Sequence, residues 1–76
     1  MTLAELSIGA EGVIKTVGGE GNLRLRLLDM GIIPGTRVSL QKVAPLGDPL
    51  EIRLRGYELT IRKDDALQIE LTDESL

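Results

Sequence analysis

A chain of 76 residues with no cysteine, no histidine, one aromatic side chain and a formal net charge of −3 can do only a limited range of chemistry. It holds one domain, spanning residues 1–76, and offers no disulfide staple, thiolate nucleophile, imidazole base or Cys/His zinc site, so burial of aliphatic side chains has to hold the fold. Its 42% hydrophobic and 28% charged residues are the balance of a globular chain, and charge interrupts every apolar run well short of the ~20 residues of a membrane span. No basic leader precedes an apolar segment at Met1-Thr2-Leu3-Ala4-Glu5, so a cytoplasmic setting without membrane insertion is the expectation.

Glycine and proline divide the chain into short elements. Residues 13–17, bounded by Gly12 and the Gly18-Gly19-Glu20-Gly21 loop, read as a first strand. Residues 22–30 carry two patterns at once. Leu23, Leu25 and Leu27 alternate with Arg24 and Arg26 as in a strand, while Leu23, Leu27 and Met30 share a helical face. The ends favour a short helix: Asn22 suits an N-cap, Leu27-Leu28 breaks the two-residue period, and Gly31 stands where a left-handed terminator belongs, with Pro34 soon after. Core packing accounts for Leu23, Leu27 and Met30 and leaves Leu25 exposed. Residues 37–44 begin with alternation at Val38 and Leu40 but shift phase to reach Val43, which predicts a bulge near Gln41-Lys42.

The clearest unit is a hairpin over residues 49–62. Leu50, Ile52 and Leu54 alternate with charge, and so do Tyr57, Leu59 and Ile61. A two-residue turn at Arg55-Gly56 then sets Leu54 opposite Tyr57, Ile52 opposite Leu59, Leu50 opposite Ile61 and Arg53 opposite Glu58. A slip of one residue would turn every aliphatic side chain to the wrong face, so pattern and turn fix one register. Lys63-Asp64-Asp65-Ala66 reads as a polar turn, with a single 3₁₀ turn as one form of it, and Leu67, Ile69 and Leu71 as a fifth strand.

Little chemistry is available on such a frame. Asp64-Asp65 is an adjacent carboxylate pair in a turn, where neighbouring side chains point apart into water rather than act as acid and base. Asp48, Asp64, Asp65 and Asp73 have no calcium-loop spacing, so neither a metal site nor a cofactor is expected. The glycine loop before the helix lacks the Gly-Lys-Ser/Thr ending of a phosphate loop and carries Glu20, leaving a mobile connection as the better reading. Arg53, Arg55 and Arg62 on the hairpin, with Arg24 and Arg26 at the helix, can make a local basic patch, although solvated strand faces with cross-strand pairs such as Arg53 with Glu58 are the better account of them. A single aromatic residue and a pI near 4.8 argue against nucleic acid and against proline-rich peptides as partners.

Two segments go beyond generic pattern: Arg26-Leu27-Leu28-Asp29-Met30-Gly31-Ile32-Ile33-Pro34-Gly35-Thr36, and Ala44-Pro45-Leu46-Gly47-Asp48-Pro49 followed by Arg55-Gly56-Tyr57. Together they resemble the FeoA family, ferrous iron transport protein A, over nearly the whole chain. The resemblance implies a mainly β fold, a small five-stranded SH3-like barrel with one helix between the first and second strands, related to the carboxy-terminal domain of diphtheria-toxin-repressor-type regulators. It also implies a cytosolic, non-enzymatic accessory of bacterial ferrous iron uptake that acts with FeoB, a membrane permease carrying a cytosolic guanine-nucleotide-binding domain.

On that reading the docking surface combines the helix and the loop beside it, Arg24, Leu25, Leu27, Leu28 and Met30, with Leu46 and Tyr57 nearby; an apolar cluster rimmed by arginine suits a modest protein interface. A stand-alone interaction module of the repressor type, acting in transcriptional regulation, keeps the same fold with another partner. Exposed sheet edges also allow a homo-oligomer.

Overall fold

A computed structural model describes residues 1–72 of the chain. Five strands, β1 (Glu11–Val17), β2 (Arg37–Val43), β3 (Leu50–Leu54), β4 (Tyr57–Ile61) and β5 (Ile69–Leu71), form one antiparallel sheet in the order β4-β3-β2-β1-β5. Helix α1 (Asn22–Asp29) lies between β1 and β2, and a one-turn helix α2 (Lys63–Ala66) lies between β4 and β5. This is the SH3-like arrangement. Among the described residues β4 and β5 do not pair with each other, so the bent sheet stays open along that seam.

The β3–β4 register is the one alternation dictates, with Leu50↔Ile61, Ile52↔Leu59, Arg53↔Glu58 and Leu54↔Tyr57. The β2–β3 ladder shifts between Leu40 and Lys42, where the phase break at Gln41-Lys42 predicts a bulge. A second shift, in β1 between Ile14 and Thr16, turns both Ile14 and Val17 inward. Curvature follows from these two irregularities. Strand β1 also starts before the expected Val13: Gly12 is inside it, paired with Val38. A Cβ there would lie 3.0 Å from Leu71 Cδ1, so this glycine serves a close strand–side-chain approach rather than a boundary.

Among the described residues fifteen aliphatic side chains form the core, including Leu3, Leu27, Ile32, Ile52, Ala66 and Ile69 at 0% exposure. Thr2-Leu3-Ala4-Glu5, unassigned by periodicity, begins with a short 3₁₀ turn, Leu3–Glu5, that inserts Leu3 and is followed by buried Leu6. Its Glu5 carboxylate accepts from the Thr2 backbone N–H at 2.8 Å and the Thr2 hydroxyl at 3.1 Å, the reach-back contact of a capping box. Hydrogen bonding from the Thr2 N–H, then from its hydroxyl, favours the ionised form and holds Glu5 below the usual carboxylate range.

The polar segment after β4 is α-helical rather than 3₁₀. The N–H groups of Ala66 and Leu67 donate to the carbonyls of Arg62 and Lys63 four residues back, each at 3.0 Å. That turn moves Leu67 out of the expected last strand to the helix end, where it is exposed, and β5 runs only from Ile69 to Leu71.

Candidate protein-interaction surface

Helix α1 starts differently from expectation. Asn22 is its first residue, and the capping position belongs to Gly21, whose backbone at φ 54° and ψ −124° makes the entry turn without a side-chain cap. The C-terminus follows a full Schellman pattern: the Ile32 N–H donates to the Leu27 carbonyl at 3.1 Å, and the Gly31 N–H to the Leu28 carbonyl at 3.0 Å. Gly31 supplies the left-handed φ of +95°. Ile32 and Leu27, the apolar pair of the motif, are both fully buried. Beyond it Ile33-Pro34-Gly35-Thr36 makes a type II turn, with Gly35 at φ +92° and the Thr36 N–H donating to the Ile33 carbonyl at 3.0 Å.

This local chemistry sorts the candidate residues. Leu25 is 59% exposed and stands clear of the core. Leu28 and Met30 are half-buried, packing one side against the core and presenting the other to solvent. Leu27 has no exposed surface and drops out of any docking face, because its position on the helix points it at the core. Arg24 is exposed but tied: its Nε donates to the Val17 carbonyl at the end of β1, 3.1 Å away. Tyr57, 43% exposed, joins the helix through its hydroxyl, which donates to the Met30 carbonyl. A strand residue is thereby fastened to the helix C-terminus, and Leu25, Leu28, Met30 and Tyr57 belong to one helix-centred neighbourhood.

Leu46 does not belong to it. It is 96% exposed at the tip of the Ala44-Pro45-Leu46-Gly47 turn, where the Gly47 N–H donates to the Ala44 carbonyl at 2.7 Å. That turn joins β2 to β3, whereas Tyr57 follows the turn joining β3 to β4, so the two residues flank opposite ends of β3. Ile33, 38% exposed and three residues beyond Met30, extends the apolar surface past the helix and is absent from the candidates drawn from sequence. The Ile32-Ile33 doublet before Pro34 carries the signal for it: once Ile32 fills the Schellman contact, Ile33 faces away.

Of the charged side chains on the helix, Arg26 is ion-paired and Arg24 bonds to backbone. Asp65, the carboxylate considered for acid–base work, is shielded between Arg62 at 3.5 Å and Arg26 at 3.9 Å, and linking α2 to α1 is a structural task. Arg53 meets Glu58 at 2.9 Å, as the register requires. Among the described residues no group of three or more acidic side chains converges on a metal-sized site, and no helix is long and apolar enough to cross a membrane.

Comparison with known proteins adds relatives to this geometry. A family model for the FeoA domain matches residues 1–73. The Fe(2+) transport protein A/Fe(2+) transporter FeoB fusion protein of Porphyromonas gingivalis (strain ATCC BAA-308 / W83) is 39% identical over 71 residues, which are 93% of this chain and 8% of that protein. The solution structure of iron(II) transport protein A from Clostridium thermocellum superposes with a TM-score of 0.89 at 37% identity, covering 93% of this chain and 44% of that one. This chain therefore spans under a tenth of the one relative and under half of the other. A manganese-dependent transcriptional repressor shares the fold, with a TM-score of 0.85 at 11% identity over 95% of this chain and 40% of that one.

Proposed function

The chain belongs to the FeoA family, and we propose that it is a non-enzymatic, cytosolic accessory of ferrous iron uptake that acts by binding the cytosolic GTP-binding part of a FeoB-type permease. One observation carries this reading: in the Porphyromonas gingivalis relative a sequence 39% identical to this one is part of the same polypeptide as a FeoB transporter. Covalent linkage raises the effective concentration of two modules that work together, and a free chain has to achieve the same meeting through a surface. Leu25, Leu28, Met30 and Tyr57, with Ile33 beyond them and Arg24 and Arg26 at the margin, supply an apolar centre with a charged rim. Leu27 supports that surface from beneath, and Leu46 lies outside it.

The test compares the purified permease, or its cytosolic domain, with and without this protein, reading co-purification, GTP hydrolysis and iron uptake. Leu25→Asp and Met30→Asp are expected to weaken association by about tenfold or more, roughly 1.4 kcal/mol, while circular dichroism stays that of the wild type. Folded variants that bind as well as the wild type would discard this surface, and no change in hydrolysis, uptake or co-purification with the wild-type protein would discard the function.

A further inference from the structure

Three of the six arginines in this acidic chain, Arg37, Arg53 and Arg55, line one cleft of about 190 Å³ on the outer face of the sheet, with Glu11 and Ser39 beside them. Two of them already hold carboxylates: Arg37 Nη1 lies 3.3 Å from Glu11 Oε1, and Arg53 Nη2 lies 2.9 Å from Glu58 Oε2. Arg55 differs. Its Nη2 donates to Thr36 Oγ1 at 3.3 Å, and among the described residues no carboxylate pairs with it.

Two local costs meet at this side chain. Val38 and Leu54 close the β2–β3 ladder, and Arg37 and Arg55, the residues just beyond that pair, both line the cleft, like charge beside like. Arg55 also has φ +53° in the two-residue turn, a position that glycine or asparagine fills with least strain. Thr36, a buried polar residue at 7% exposure, fixes the guanidinium at the cleft despite both costs. With Glu11 and Glu58 counted, the five charged side chains leave one positive charge unbalanced.

We infer that this cleft binds a carboxylate side chain presented by an acidic segment of another protein, with Arg55 as the open donor and Arg37 and Arg53 as flanking forks. A guanidinium meets a carboxylate through two parallel N–H groups, and the residual single charge matches a carboxylate better than a phosphate dianion. The cleft shares no lining residue with the apolar surface proposed at α1, and its binding of an acidic segment can be measured without the permease.

The experiment is a titration of the isotope-labelled full chain, followed by backbone and arginine Nε–H resonances at constant ionic strength. The probes are a capped hexaglutamate peptide, a capped hexaglutamine peptide and inorganic phosphate. Hexaglutamate should shift Thr36, Arg37, Ser39, Arg53 and Arg55 saturably, and hexaglutamine should not. Arg55→Asn, which keeps a residue suited to the turn, should weaken hexaglutamate binding by about tenfold, whereas Lys15→Gln, an equal loss of charge outside the cleft, should change it by less than about twofold. Absence of saturable shifts, equal weakening by both variants, or saturation by phosphate without hexaglutamate binding would each overturn the inference.

Discussion

Replacing Gly31 by alanine tests the joint between the helix end and the strand that together present the candidate surface. Gly31 has φ +95°, and a methyl group there would stand 2.6 Å from the Tyr57 hydroxyl oxygen, which donates to the Met30 carbonyl next door. An L-residue held in the left-handed region costs about 1–2 kcal/mol. Moving the hydroxyl away forfeits a hydrogen bond with a net worth of about 0.5–1.5 kcal/mol. The sum, about 1.5–3.5 kcal/mol, is a large part of the ~4–11 kcal/mol available to a chain of this length. Urea denaturation should show the full loss, and thermal melting should fall on the order of 10–20 °C. Tyr57→Phe removes the clashing oxygen and leaves Cζ at 3.8 Å, an ordinary contact. In that background Gly31→Ala should cost only its backbone part, giving a coupling of about 0.5–1.5 kcal/mol in a double-mutant cycle. A loss below about 1 kcal/mol for Gly31→Ala, or single effects that add within about 0.3 kcal/mol, would refute the reasoning.

Leu27→Ala should destabilise by about 2–5 kcal/mol because the side chain is wholly enclosed, while Leu25→Ala should stay within about 0.5 kcal/mol; urea midpoints of the two variants separate core from surface on one helix. Arg55→Asn relieves the left-handed arginine but gives up its hydrogen bond to Thr36 Oγ1, so the two effects offset and stability, read from the melting temperature, should change by less than about 1 kcal/mol. Glu5 ionises below the usual carboxylate range because the Thr2 N–H and hydroxyl donate to its charged form. A lowered folded-state pKa gives a contribution fully present above the unfolded carboxyl value and lost as pH falls through the folded one. The urea midpoint of wild type should therefore exceed that of Glu5→Gln most near pH ~7, and the gap should close toward pH ~3; a gap independent of pH would contradict this.

The hairpin was legible because two independent constraints agree on it: alternation from Leu50 to Leu54 and from Tyr57 to Ile61, and a two-residue turn at Arg55-Gly56 that admits one register. The β2 bulge was legible for a related reason, since a phase break in aliphatic spacing at Gln41-Lys42 requires an extra residue. Segments too short to repeat were not. Thr2-Leu3-Ala4-Glu5 contains a capping-box signal but no period, and the α-helical and 3₁₀ forms of Lys63–Ala66 differ only in which carbonyl an N–H reaches. Gly21 displaced Asn22 from the cap because it reaches backbone angles that asparagine does not readily share.

The candidate surface was harder to read than the fold, and the reason lies in how a small core fills. Leu25, Leu27 and Leu28 are chemically alike and adjacent, and their fates of exposed, enclosed and divided depend on helix phase measured against a core whose other side is built from distant strands. Leu46 and Tyr57 are eleven positions apart in sequence, each in a recognisable motif, yet β3 runs between their two turns and carries them to its opposite ends. Burial is decided by what the sheet encloses, while a partner can meet only what is left outside. Residues of an interaction surface are thus fixed last, after register, bulges and caps have settled, and composition constrains them least. Tyr57 shows how the two levels join: its place opposite Leu54 follows from alternation, whereas its bond to Met30 requires the helix to end at Gly31 beside it. A change confined to that helix end should disturb the surface before it disturbs the sheet.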